Sequence, residues 1–371
     1  MQQYQDIGEI YQMAMNNILL IASNPRVNEK IISLVPSLSK YFNIDILLIG
    51  EMSPNTNWWG SIDTRKSCIE NLKIYTNNII IGPGFNFHGD RFQNIPEEIF
   101  EKTYKFIIFD DNKRMPELHM PYMYKKFKEN GSIVIGNSHG NYDFDAIAKE
   151  LAFGISYDYL YIFGEKERLI FNQLFDSSKL LKGGIPVNDS LKHISKKQKH
   201  LLVITNFLGN HHARNEFDQC FNHEYVSNCG IEQIAKKYNL PIVVKQKTRL
   251  DDPNYLKNEL YIKSLLNCTV ISDTENINQL IADSALVITA PSTLAFKPIQ
   301  LGIPTAITKG TGQIGNFYDF IGLVNANKKE ILQTFKDQSK LQTNFISTTI
   351  EGGENFNSTS CYIDELLKLE Q

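Results

Sequence analysis

Leu286-Val287-Ile288-Thr289-Ala290-Pro291-Ser292-Thr293-Leu294-Ala295-Phe296, followed by Leu301-Gly302-Ile303-Pro304-Thr305, is the stretch that decides the fold. An apolar run of strand length stops at Ala-Pro-Ser-Thr. A helix-like segment follows, and Gly-Ile-Pro-Thr opens a second apolar run. Strand, tight turn, helix and strand make the repeating unit of a parallel sheet with helical crossovers. A helix that starts beyond the carboxyl end of such a strand presents N–H groups to an anion, here beside two hydroxyls. Ser292 and Thr293 are therefore candidate phosphate ligands, although both residue types also serve as plain helix caps. In a chain of 371 residues the pattern points to a nucleotide or nucleotide-sugar site.

The same alternation runs through the rest of the chain. Upstream, Asn17–Ala22, Ile44–Ile49, Ile79–Ile81, Phe106–Phe109, Ser132–Ile135 and Tyr159–Phe163 are short continuous apolar runs. Helical patterns at Val27–Tyr41 and Tyr122–Glu129 separate some of them. Such runs are what strands buried on both faces look like. A second series starts near Lys199, with strands at His200–Thr205, Pro241–Lys245, Thr269–Ile271, Leu286–Thr289 and Thr305–Ile307. Helices at Ile231–Tyr238 and Ile277–Ala282 lie between them. The polar stretch Val187–Lys199 is the seam. The expectation is an α/β protein of two doubly wound, Rossmann-like domains, residues 1–190 and 191–371, facing each other across a cleft.

Composition narrows the function. With 38 Lys and Arg against 41 Asp and Glu, the net charge is −3, so no basic footprint for nucleic acid is expected. The five cysteines are scattered, without a Cys-x-x-Cys. That argues against a disulfide framework or a zinc site and for a reducing compartment, the cytoplasm. The N-terminal residues lack the apolar core of a signal peptide, and no apolar run is long enough to span a membrane. The composition still allows loose association with a membrane surface through a basic patch.

Several segments carry candidate chemistry. In Gly136-Asn137-Ser138-His139-Gly140-Asn141-Tyr142-Asp143, His139 follows a strand, where ligands bind, and its ordinary pKa suits a general base. Asp143 is placed to orient it. Lys245-Gln246-Lys247-Thr248-Arg249 closes another strand, and its alternation puts Lys245, Lys247 and Arg249 on one face if the strand continues. Three cations there suit a diphosphate leaving group. Lys309-Gly310-Thr311-Gly312-Gln313-Ile314-Gly315 is glycine-rich, so backbone N–H groups around Gly312 and Gln313 can cradle an anion, but it is not a P-loop. Lys182-Gly183-Gly184-Ile185-Pro186-Val187-Asn188-Asp189 has the composition of a tight interdomain loop. His211-His212 is a poor metal pair, because adjacent residues do not face the same way, and no metal site or cofactor is expected.

Taken in order, these motifs resemble those of the CDP-glycerol glycerophosphotransferases and related capsule-polymer transferases, GT-B-fold enzymes of bacterial surface polysaccharides. The carrying residues are His139-Gly140, Tyr157 to Glu165, Gly184-Ile185-Pro186-Val187-Asn188-Asp189, Val244-Lys245, and Asp283 to Thr293. Three positions depart from the family pattern. Ser138 stands where it has tryptophan, Gln246-Lys247-Thr248 where it has His-Pro, and Ala290-Pro291-Ser292-Thr293 where it has Asp-Tyr-Ser-Ser.

The resemblance implies a transferase using a nucleotide-activated sugar or polyol donor and a glycan or lipid-linked acceptor. The donor would sit in the second domain at Ser292, Thr293, Lys245 and Lys247, and His139 would deprotonate the acceptor. Nucleotide-sugar 2-epimerases of the same fold are the rival class. His211-His212-Ala213-Arg214-Asn215-Glu216 is a loose counterpart of the basic loop expected of them. A nucleotide-binding GT-B protein without catalysis is the third expectation.

Overall fold

The computed structural model describes residues 16–22, 33–48, 69–76, 78–81, 97–109, 120–138, 157–205, 221–246, 255–271, 277–289, 292–308, 324–325 and 327–370. Their strands form two wholly parallel sheets. The first has the order β3-β2-β1-β4-β5-β6-β7. Its strands are β1 (Asn17–Ala22), β2 (Asn43–Leu48), β3 (Asn78–Ile81), β4 (Phe106–Phe109), β5 (Ile133–Asn137), β6 (Tyr159–Ile162) and β7 (Leu180–Lys182). The second has the order β10-β9-β8-β11-β12-β13. It is built from β8 (His200–Ile204), β9 (Ile242–Lys245), β10 (Thr269–Ile271), β11 (Ser284–Thr289), β12 (Thr305–Thr308) and β13 (Val324–Asn325). The α/β class and the two doubly wound units are thus as expected. The order reverses beside β1 in one sheet and beside β8 in the other, and ligands bind in crevices at such switch points.

The interiors of the central strands are apolar because both of their faces are covered. Along β1, Ile18 and Leu20 enter one core while Leu19 and Ile21 enter the core on the opposite face. Leu201 and Val203 of β8 are separated from Leu202 and Ile204 in the same way. A side-chain period of two then leaves polar residues only at the strand ends, such as Asn17 and His200.

The end of the chain departs from the expected division. The helix Lys328–Thr349 touches β12 of the second sheet and the helix Glu165–Phe171 of the first unit. The closing helix, Ser358–Lys368, lies on the first unit. Its Tyr362, Ile363 and Leu366 join the core that holds Ile18 and Leu20. The expected second domain, 191–371, therefore gives its last helix to the first. The physical reason is an apolar stripe that completes a core formed by the chain's earliest strands.

Between the units lies a shared apolar cluster in which Phe163 and Ile185 meet Phe296, Ile299 and Ile307, along with Phe345 of the long helix. Phe163 and Phe296 pack edge to face at 6.2 Å. None of the described helices is long and apolar enough to cross a membrane.

Candidate functional site

The carboxyl edge of the second sheet is polar where its interior is not. Register places Ile204 beside Lys245, Lys245 beside Ile271, and Thr289 between Ile204 and Ile307. At or just past these ends stand Thr205, Lys245, Gln246, Thr289 and Thr308, all buried. The Thr205 amide donates to the Lys245 carbonyl at 3.1 Å. The Thr308 hydroxyl donates to the Thr289 carbonyl at 3.3 Å and accepts from the Tyr225 hydroxyl at 3.1 Å. The amide N–H of Gln246 continues the pairing of β9 onto the Ile271 carbonyl at 3.1 Å. Its side-chain amide has no partner at either atom.

After β11 the chain turns into a 3-10 segment, Thr293–Ala295, and then a short helix, Phe296–Gln300. Ser292 is extended there, and its hydroxyl accepts from the Leu294 amide at 3.2 Å. It therefore acts as a cap, and Thr293 is the first residue of the segment it caps. Both are partly exposed at the same carboxyl edge, close to the bridging cluster that holds Ala295 and Phe296.

The first sheet presents a second polar edge. Asn137 ends β5, donating through Nδ2 to the Phe109 carbonyl at 2.8 Å and accepting at Oδ1 from the Tyr362 hydroxyl at 3.1 Å. The Ser138 hydroxyl donates to the buried Glu167 carboxylate at 2.6 Å, and the Phe163 amide donates to its other oxygen at 2.5 Å. This carboxylate ties the ends of β5 and β6 together directly before His139. Tyr161 and Tyr362 stack at 3.6 Å, and the Tyr161 hydroxyl donates to the Tyr362 carbonyl at 2.7 Å. Burial holds both phenols far above their ordinary pKa, so neither is an acid–base group. A cavity of about 20 Å³ opens among Asn137, Ser138, Tyr161 and Pro186, room for roughly one water.

Of the residues singled out from the sequence, the structure describes Lys245, Ser292 and Thr293, and brings all three to one sheet edge. β9 stops at Lys245. Lys247 and Arg249, like His139, Asp143, Gly312 and Gln313, lie outside the described residues. Gln246 and Glu167 were not read as site residues. Only packing marks them, as a buried amide without partners and a buried carboxylate bonded to Ser138 and Phe163.

The Gly184-to-Asp189 motif is architectural. Gly184 has φ +64°, and a Cβ there would collide with the Glu351 carbonyl and the Ser358 side chain. Asp189 accepts from the amides of Ser358 at 3.0 Å and Thr359 at 2.7 Å. Asn188 donates to Gln300 at 2.5 Å, linking this segment to the short helix that follows Ser292.

Burial pushes the Cys229 thiol up to about 12 and Cys268 to about 11, and raises Cys361 as well, so none of these three is a thiolate nucleophile at neutral pH. Among the described residues, no group of acidic, histidine and cysteine side chains has the makings of a metal site.

Two Rossmann-like domains with parallel sheets, closed by a helix that returns to the first, define a GT-B-like fold, and solved structures of that fold match the chain nearly end to end. One is a Listeria monocytogenes protein provisionally assigned as a UDP-N-acetylglucosamine 2-epimerase. It has a TM-score of 0.63 and 12% identity, and the match covers 96% of this chain and 97% of that one. The UDP-GlcNAc 2-epimerase of Neisseria meningitidis, bound to UDP-GlcNAc, matches with TM-score 0.59 and 14% identity over 95% and 100% of the two chains. HepE of Anabaena, in complex with UDP and glucose, matches with TM-score 0.58 and 8% identity over 96% and 99%. No protein-family model and no curated protein sequence matches the chain. The finer expectation of a CDP-glycerol-type transferase gains no support from these structures.

Proposed function

We propose that the chain is a UDP-sugar enzyme of the 2-epimerase type, inverting one ring carbon of the sugar without an acceptor. The observation that supports this most is the full-length likeness to proteins solved with UDP, UDP-GlcNAc or UDP and glucose. It reverses the order of the two enzymatic expectations, since sugar or polyol transfer to a hydroxyl now comes second.

In this proposal the diphosphate sits at the second-sheet edge, with Ser292 and Thr293 at one end and Lys245, Lys247 and Arg249 offsetting its charge. Backbone N–H groups at Gly312 and Gln313 add to the cradle. His139, oriented by Asp143, moves a proton at the sugar from the first domain. Glu167 is a positioning residue, because its bond to Ser138 sets where the next residue begins.

Product analysis tests the proposal. Incubating the chain with UDP-GlcNAc alone, and following the anomeric proton by NMR, should show a second UDP-sugar growing in as the first declines. Turnover that starts only when a hydroxyl acceptor is added would establish transfer instead. Binding with no product under either condition would establish the non-catalytic form.

A further inference from the structure

The carboxamide of Gln246 is fully buried, and neither its nitrogen nor its oxygen has a hydrogen-bond partner. Among the described residues two other side chains have a buried unpaired atom, Asn188 and Thr349, but only Gln246 has both ends of an amide unpaired. Such orphans are rare in folded proteins and call for an explanation. Packing does not supply one. With a period of two, Gln246 falls on the side of Ile242 and Val244, which are core residues. An aliphatic side chain would simply extend that core.

Position and chemistry supply one. Gln246 lies at the carboxyl edge, where doubly wound sheets take their ligands. β9 is two strands from β11, so Gln246 stands roughly 10 Å across the sheet from the Ser292 turn. A ribose spans about that interval between a phosphate and a base. A primary amide offers one donor and one acceptor side by side. In a nucleotide sugar the phosphates only accept, and each hydroxyl is a single group. An N-acetyl group has its N–H and C=O on opposite edges of a trans amide, whereas the base presents a donor and an acceptor side by side, in uracil the N3–H and an adjoining carbonyl.

We propose that Gln246 reads the nucleobase, pairing its carboxamide with the lactam edge of uracil. This rests on the UDP-sugar reading above. The protein supplies the amide no partner because its partner is the base.

The test is a protein–ligand double-mutant cycle by calorimetry, using UDP and N3-methyl-UDP on the wild-type chain and on Gln246→Met. A paired amide–base contact predicts that the wild type prefers UDP by roughly tenfold or more. Gln246→Met should lose about the same factor for UDP and discriminate between the two ligands less than about threefold. Its melting temperature without ligand should equal or exceed that of the wild type, since an orphan amide has been replaced by an apolar group. Gln246→Glu, which keeps the shape but not the donor, should bind as weakly as Gln246→Met. Unchanged UDP affinity or retained discrimination in Gln246→Met overturns the assignment while leaving the UDP-sugar reading intact. A lowered melting temperature also overturns it, by showing that the amide serves the fold. A wild-type chain that does not bind UDP overturns both.

Discussion

Replacing Asp189 with alanine isolates the bond that closes the structure. The closing helix has Asn357 at its N-cap, and that side chain makes no capping bond. Its first N–H groups are satisfied instead by Asp189, 169 and 170 positions earlier. A hydrogen bond to a charged acceptor contributes about 1.5–3 kcal/mol when it is well buried. Asp189 is half-buried, and water can reach part of what it leaves, so the lower end applies to each of the two bonds. Loss of the carboxylate from the helix N-terminus removes a further ~0.5 kcal/mol. Rehydration of the two amides recovers some of this, and a net cost of roughly 2–3 kcal/mol remains. The loss is local, because Tyr362, Ile363 and Leu366 keep the helix docked. Hydrogen exchange is the assay, and protection of residues 358–368 should fall roughly 30- to 150-fold, at 1.36 kcal/mol per decade. Protection of β8 and β11 should stay within about twofold, and Asp189→Asn should recover part of the loss. Unchanged protection in 358–368, or an equal loss in both sheets, would refute the claim that Asp189 acts as a remote cap.

His200 predicts a pH dependence. Burial beside Ser284 lowers its pKa below 6.5, with Lys199 adding to the shift and Asp283 opposing it. The unfolded chain therefore binds more protons in the window just below 6.5, and stability is lost as pH falls through it. Urea titrations at several pH values should show this slope in the wild type and a flatter one in His200→Asn. Tyr362→Ala should cost roughly 3–5 kcal/mol, since it empties a fully buried aromatic site. Tyr362→Phe, which only leaves the Asn137 oxygen unpaired, should cost about 1–2 kcal/mol in the same denaturation assay. Ser292→Ala with Thr293→Ala should cost about 1 kcal/mol for the lost cap and remove most of the thermal stabilisation that UDP confers. Undiminished stabilisation by UDP would exclude both hydroxyls from the phosphate site.

The sheets were legible because each strand is its own signal. Ile18–Ala22 or Leu201–Ile204 is buried on both faces, and an unbroken apolar run of that length has few other uses. The closing helix was not, because its stripe serves strands from the other end of the chain. Tyr362 bonds to Asn137 across 225 residues, and no local window contains that partner. The polar edge was half legible. Lys245 and Ser292 announce themselves by charge and by turn chemistry, whereas Gln246 is marked only by what fails to surround it.

The same distinction explains why a transferase-like order of motifs sits on a chain whose structural neighbours include epimerases. Gly184 and Asp189 belong to one of the five motifs that carried the resemblance, and both help to seat the closing helix. A motif that maintains an architecture recurs wherever the architecture does, so it reports the fold and is silent about the chemistry. The residues that can separate transfer from epimerisation are those with no architectural duty. Gln246, whose side-chain amide makes no bond within the fold, has no such duty, but a contact to uracil serves either reaction, so the residues that discriminate are those that touch the sugar.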